Sequence, residues 1–148
     1  MPDSLSIMLA NDLEELDRLS AVLESFCGEH GFPPPLTYSL ELALDEIVSN
    51  IIRYGRFSER RQRIAVNIEY RNDTVFLHIK DDGVPFNPLL AEPPELDLPL
   101  EQRSRPVGGM GIHIVTSIMD RIQYFRRDEK NILEMEKAIP GECGLEEP

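Results

Sequence analysis

ELALDEIVSNIIRYG, residues 41–55, is the stretch from which the rest of the chain is best read. Leu40, Leu44, Ile47 and Ile51 recur at three- and four-residue spacing, which predicts a helix over about 37–55 with one buried stripe. Thr37 is a candidate N-cap and Gly55 suits the helix end. Glu46 and Asn50 stand four positions apart, so they share a helix face beside Ile47 and Ile51. A carboxylate at the edge of a core needs a partner or a task, because losing water is costly. Taken alone, the pair also fits an ordinary solvated helix face.

Upstream, SLSIML at 4–9 reads as a short strand. Asn11 or Asp12 then caps a helix in which Leu13, Leu16, Leu19, Leu23 and Phe26 recur at helical spacing. GFPPPL at 31–36 stops that helix, since proline cannot continue it. Downstream, RIAVNIEY (63–70) and TVFLHIK (74–80) alternate apolar and polar residues around the turn signal Asn72-Asp73, an antiparallel hairpin. Residues 83–107 are rich in proline and change from acidic to basic. A loop of that length in a compact domain is commonly a lid or a binding loop. Gly108-Gly109-Met110-Gly111 opens an apolar helix, and IQYFRRDEKNILEMEKAI predicts a second hairpin turning near Asp128–Asn131. The order β-α-α-β-β-lid-α-β-β predicts an α+β, two-layer sandwich, a mixed sheet covered on one face by helices. Residues 1–140 make one domain in this reading, with a frayed tail at 141–148.

Three places can carry chemistry. Glu46 can accept a proton from an attacking hydroxyl, and the Asn50 amide oxygen is a neutral hard ligand for Mg²⁺, which keeps several waters and binds phosphate oxygens. Asp81 ends a hydrophobic strand, where a carboxylate can accept a hydrogen bond from a flat heterocyclic amine, and Gly83 lets the backbone turn tightly beside it. An ordinary strand-ending turn explains Asp81 and Gly83 as well. Gly108, Gly109 and Gly111 open a helix whose free N–H groups and positive end suit phosphate. GK[ST] does not follow, so this is not a P-loop, and Ile114 stands at the third glycine position of a dinucleotide fingerprint. Arg103 and Arg105 lie close enough upstream to reach a terminal phosphate, or are surface charge. The order of the three places, and the lid between the last two, make them parts of one Mg-ATP site.

Bulk properties narrow the classes. A chain of 148 residues with 41% hydrophobic content suits one globular domain. Apolar runs fall well short of the roughly 20 residues that span a bilayer, and the first residues lack the pattern of a secretory signal, so a cytoplasmic setting is expected. The net charge of −12 argues against a broad basic face for nucleic acid but leaves room for one nucleotide. Cys27, Cys143, His30, His78 and His113 form no CxxC or HExxH pattern, and Cys27 is expected to be a small buried hydrophobe.

These residues resemble the GHKL (Bergerat-type) ATPase superfamily, and especially its stand-alone anti-sigma-factor serine/threonine kinases. ELALDEIVSNIIRYG (41–55) resembles the N-box, IKDDGVPFNPL (79–89) the G1 box and RPVGGMGIHIVTSIMDRIQY (105–124) the G2 box. The resemblance implies Glu46 as general base, Asn50 as Mg²⁺ ligand, Asp81 and Gly83 at the adenine, and Gly108, Gly109 and Gly111 at the phosphates. It implies Arg105 near the γ-phosphate and 87–107 as the ATP lid. It further implies ATP and Mg²⁺ as cofactors, phosphorylation of an anti-anti-sigma-like protein, sequestration of a sigma factor and a homodimer. A binding module gated by ATP without phosphate transfer would keep the same ATP-holding residues.

Overall fold

The computed structural model describes residues 3–54, 63–90 and 110–139. Its elements are β1 (Ser4–Ala10), α1 (Glu15–Glu29), α2 (Pro34–Tyr54), β2 (Arg63–Arg71), β3 (Thr74–Asp81), a 3₁₀ turn (Pro88–Leu90), α3 (Met110–Ile118), β4 (Arg121–Arg127) and β5 (Lys130–Ala138). The strands lie in the order β1-β2-β3-β5-β4. The expected two-layer α+β sandwich forms, but its sheet is not mixed: all four pairings are antiparallel. The reason is topological. Strands β3 and β4 run in the same direction, each antiparallel to β5, yet the hairpin returns β5 between them. The parallel pair that would make the sheet mixed is thereby never adjacent.

The alternation read from the sequence becomes the inner face of the sheet. Ile64, Val66 and Ile68 of β2, Val75, Leu77 and Ile79 of β3, and Leu133 and Met135 of β5 are buried. Leu40, Leu44, Ile47, Val48 and Ile51 of α2 lie over them, with Leu19, Leu23 and Phe26 of α1 and Ile112 and Val115 of α3 on either side. Each fully buried Leu or Ile contributes about 1.5–3 kcal/mol of hydrophobic stabilisation, so the α2 stripe alone is a major part of the fold's stability.

The element ends differ in instructive ways. Helix α2 starts at Pro34, not at Thr37. Pro33 O accepts from Leu36 N and Thr37 N, and prolines are tolerated in a first turn whose N–H groups are spare. The same proline run that stops one helix therefore starts the next. Helix α1 begins at Glu15, and Asp12 Oδ1 accepts from Glu14 N at 2.9 Å. Its other end is closed by Gly31 at φ 67°, with Phe32 N donating to Cys27 O and Gly31 N to Gly28 O, the paired bonds of a Schellman motif. Both hairpins turn on two residues of positive φ, Asn72-Asp73 and Asp128-Glu129, whose twist matches that of the strands. Cys27 is buried as expected, and burial pushes its thiol up from its ordinary value. Among the described residues no helix is long and apolar enough to cross a membrane.

Candidate functional site

Helix α2 is the middle helix of its layer, packed against α1 on one flank and α3 on the other. Glu46 and Asn50 lie half-buried, one turn apart, next to the fully buried Ile47 and Val48. The first turn of α3 meets them. A methyl group built on Gly111 would lie 1.9 Å from Glu46 Oε2 and 2.1 Å from its Cδ. The Glu46 carboxyl therefore rests on the bare Cα of Gly111, at the N-terminal end of α3. Burial pushes the Glu46 carboxyl above its ordinary value, the neighbouring Asp45 adds to the rise, and Arg53 opposes it. The Glu46 side chain and the first turn of α3 are thus in direct contact, and position 111 has no room for a side chain while Glu46 holds this pose.

The second cluster is at the end of β3. Asp81 is only 3% exposed, and its Oδ1 accepts from Gly83 N at 2.9 Å and from Asn131 Nδ2 at 3.0 Å. Burial pushes the Asp81 carboxyl up, the Asn131 and Gly83 hydrogen bonds pull it down, and Asp82 and Arg126 add smaller opposite effects. Gly83 is buried but does not take a left-handed φ; Gly31 alone does among the described glycines. The turn needs no left-handed glycine and is held by hydrogen bonds: besides the bond to Asp81, Gly83 O accepts from Arg126 Nη1 at 2.8 Å.

Asn131, Tyr124 and Arg126 were not singled out by sequence reasoning. Asn131 is 4% exposed and sits on β5 opposite Asp81 on β3. It accepts from Phe86 N and Arg126 Nη1, each at 3.1 Å, and from the Tyr124 hydroxyl, and it donates to Val84 O at 2.8 Å. The signal was a polar residue at an inward position of a strand, legible only once β5 is placed beside β3.

The 3₁₀ turn Pro88–Leu90 carries the chain from this cluster back to α2, which it touches. Asn87 Oδ1 accepts from Leu89 N at 2.9 Å and so shapes the first residues of the expected lid 87–107. Residues 91–107, Arg103, Arg105, Gly108 and Gly109 lie outside the described residues. Among the described residues no group of three His, Cys, Asp or Glu side chains is placed to hold a metal. The donors present, one Asn amide beside one carboxyl, fit an ion that takes most of its ligands from phosphate and water.

The family model for the histidine kinase-like ATPase domain matches residues 9–137. The chain belongs to that family. A curated relative, the serine/threonine-protein kinase BtrW of Bordetella bronchiseptica, is 31% identical over 98 residues, covering 66% of this chain and 68% of BtrW. Among solved structures, the RsbU and RsbW domains of Rv1364c from Mycobacterium tuberculosis superpose with a TM-score of 0.67 at 14% identity. That match covers 92% of this chain and 32% of the other, so the chain spans about a third of that protein. The Acinetobacter baumannii histidine kinase AdeS gives a TM-score of 0.52 at 14% identity, covering 93% of this chain and 68% of AdeS. These two likenesses concern the fold. Membership of an ATPase domain family implies ATP as a ligand of the domain.

Proposed function

We propose that this ATPase-family domain is a serine/threonine-protein kinase of the anti-sigma-factor type, which transfers the γ-phosphoryl group of Mg-ATP to a hydroxyl on an anti-anti-sigma-like protein. The observation that carries the reading is the Glu46 carboxyl seated on Gly111 at the start of α3. The 31% identity to a relative named a serine/threonine-protein kinase supports the same choice.

Each residue has a role in this reading. Asp81 holds the adenine amine, and Gly83 supports it. The N–H groups of Gly108, Gly109 and Gly111 hold phosphate oxygens in this reading, and the positive end of α3 favours negative charge there. Arg105 has the γ-phosphate as its partner, and residues 87–107 are the ATP lid in this reading. Asn50 holds Mg²⁺, which when bound neutralises charge on the phosphate oxygens. Glu46 orients the attacking serine or threonine hydroxyl and takes its proton. The hydroxyl oxygen bonds to the γ-phosphorus, and the bond to the β,γ-bridging oxygen breaks and releases ADP. A carboxyl raised above its ordinary value by burial is a better base for this task than a solvated one. The setting is the cytoplasm, where Mg-ATP is supplied, and the sigma factor released or held by the switch is a second protein partner.

With γ-labelled ATP and the cognate partner, the wild type transfers label and Glu46→Ala does not. Equal transfer by both would remove Glu46 as the base. Tight ATP-dependent association with no labelled partner would make the domain an ATP-gated binding module instead.

A further inference from the structure

We propose that Asn131 is a positioning residue that gives the nucleotide site its choice between 6-amino and 6-oxo purines, by fixing which oxygen of Asp81 faces the base. The proposal rests on the ATP reading above and deepens it.

Asn131 Nδ2 has two hydrogens, and both are spent: one on Asp81 Oδ1 at 3.0 Å, the other on Val84 O at 2.8 Å. Asn131 Oδ1 faces donors only: Phe86 N, Arg126 Nη1 and the Tyr124 hydroxyl. Turning the amide over would set its N–H₂ against donors and its oxygen against a carboxylate. The orientation is therefore dictated by five neighbours. Both residues of the Asn131–Asp81 pair are almost fully buried, so water does not substitute for a lost partner and the cost of a mismatch is high.

The consequence falls on Asp81. Its Oδ1 receives two donors, Asn131 Nδ2 and Gly83 N, which match its two lone pairs. Among the described residues neither donor goes to Oδ2, which is left to accept from outside. The backbone beside it is pinned at three points, Gly83 O by Arg126, and Val84 O and Phe86 N by Asn131. A carboxylate oxygen held in this way accepts from an exocyclic amine and repels the lone pairs of a carbonyl at the same position. A site built to hydrogen-bond a substrate N–H rejects the analogue without it far better than an apolar pocket does. Released from Asn131, Asp81 could rotate, and its preference between the two groups would fade.

The test is titration calorimetry of the whole chain with Mg-ATP and with Mg-ITP, which carries a carbonyl in place of the 6-amino group. Wild type should prefer ATP by about 100-fold, the effect of one hydrogen bond to a charged group. Asn131→Asp, the same shape with a second carboxylate facing Asp81, should bring the ratio below about tenfold. Arg126→Met replaces an exposed side chain, so the fold is expected to survive; it should lower the ratio below the wild-type value through Gly83 and Asn131. A folded Asn131→Asp that weakens both nucleotides equally would overturn the proposal, since that is what a merely structural residue does. If Asn131→Asp does not fold, an unchanged ratio in Arg126→Met overturns it. A wild type that binds neither nucleotide refutes the ATP reading itself, a result distinct from binding without discrimination.

Discussion

Replacing Gly111 with alanine isolates the contact between α2 and α3. The added methyl would sit 1.9 Å from Glu46 Oε2 and 2.1 Å from Cδ. Both are about 1.5 Å short of an ordinary van der Waals contact. The obstruction is the far end of a flexible side chain, so Glu46 swings aside instead of the backbone breaking. The stability cost is small, and alanine's better helix propensity returns up to about 1 kcal/mol at a helical position. The functional cost is large, since a misplacement of about 1 Å at a reacting group lowers a rate by roughly 100-fold. Gly111→Ala should therefore melt within a few degrees of wild type, while label transfer from γ-labelled ATP to the partner falls about 100-fold. A double-mutant cycle sharpens the test. In a Glu46→Ala background the obstruction is gone, so Gly111→Ala should raise the melting temperature there by more than it does in wild type. Wild-type transfer by Gly111→Ala, or strict additivity in the cycle, would refute the claim that the carboxyl rests on this glycine.

Other perturbations follow from the same chemistry. Asp81 has a raised folded-state pKa, so ionising it costs stability as pH rises from the unfolded value through the folded one. Asp81→Asn should therefore raise the melting temperature more at pH 8 than in acid below the ordinary carboxylate range, while weakening ATP binding at least about tenfold. Glu46 must be deprotonated to act as a base, so phosphoryl transfer should increase with pH through a value above the ordinary carboxylate range, and Glu46→Gln should leave a low, flat profile. Glu129 adopts φ 62° in a two-residue turn that favours glycine, so Glu129→Gly should stabilise the fold by about 0.5–1 kcal/mol in urea melts without altering ATP affinity.

Local pattern carried most of the fold. The period-two runs at 63–70 and 74–80, the Asn72-Asp73 turn and the Leu40–Ile51 stripe are all where periodicity put them. What local pattern could not supply was neighbour choice. Insertion of β5 between β3 and β4 depends on how the final hairpin docks, and that step makes the sheet antiparallel and brings Asn131 opposite Asp81. The same limit applied to the site. Glu46 and Asn50 were visible because helix spacing places them on one face. Gly111 stood out as a glycine before a helix, but its reason, the carboxyl lying on it, required the packing of α3 on α2. Tyr124 and Arg126 read as ordinary strand residues because their shared partner Asn131 is met only across the β4–β5 hairpin, and Gly83 only through the packing of β5 on β3. The helix start at Pro34 rather than Thr37 has a local cause: a proline run that ends one helix can also open the next.

The most direct test of a Mg-ATP site built on α2, the end of β3 and the start of α3 is calorimetric titration of the wild-type chain with ATP, with and without Mg²⁺. The account predicts saturable heat at one site per chain, strengthened by Mg²⁺, with the Mg²⁺ effect lost in Asn50→Ala. No heat and no thermal shift in wild type, or a Mg²⁺ effect untouched by Asn50→Ala, would contradict it.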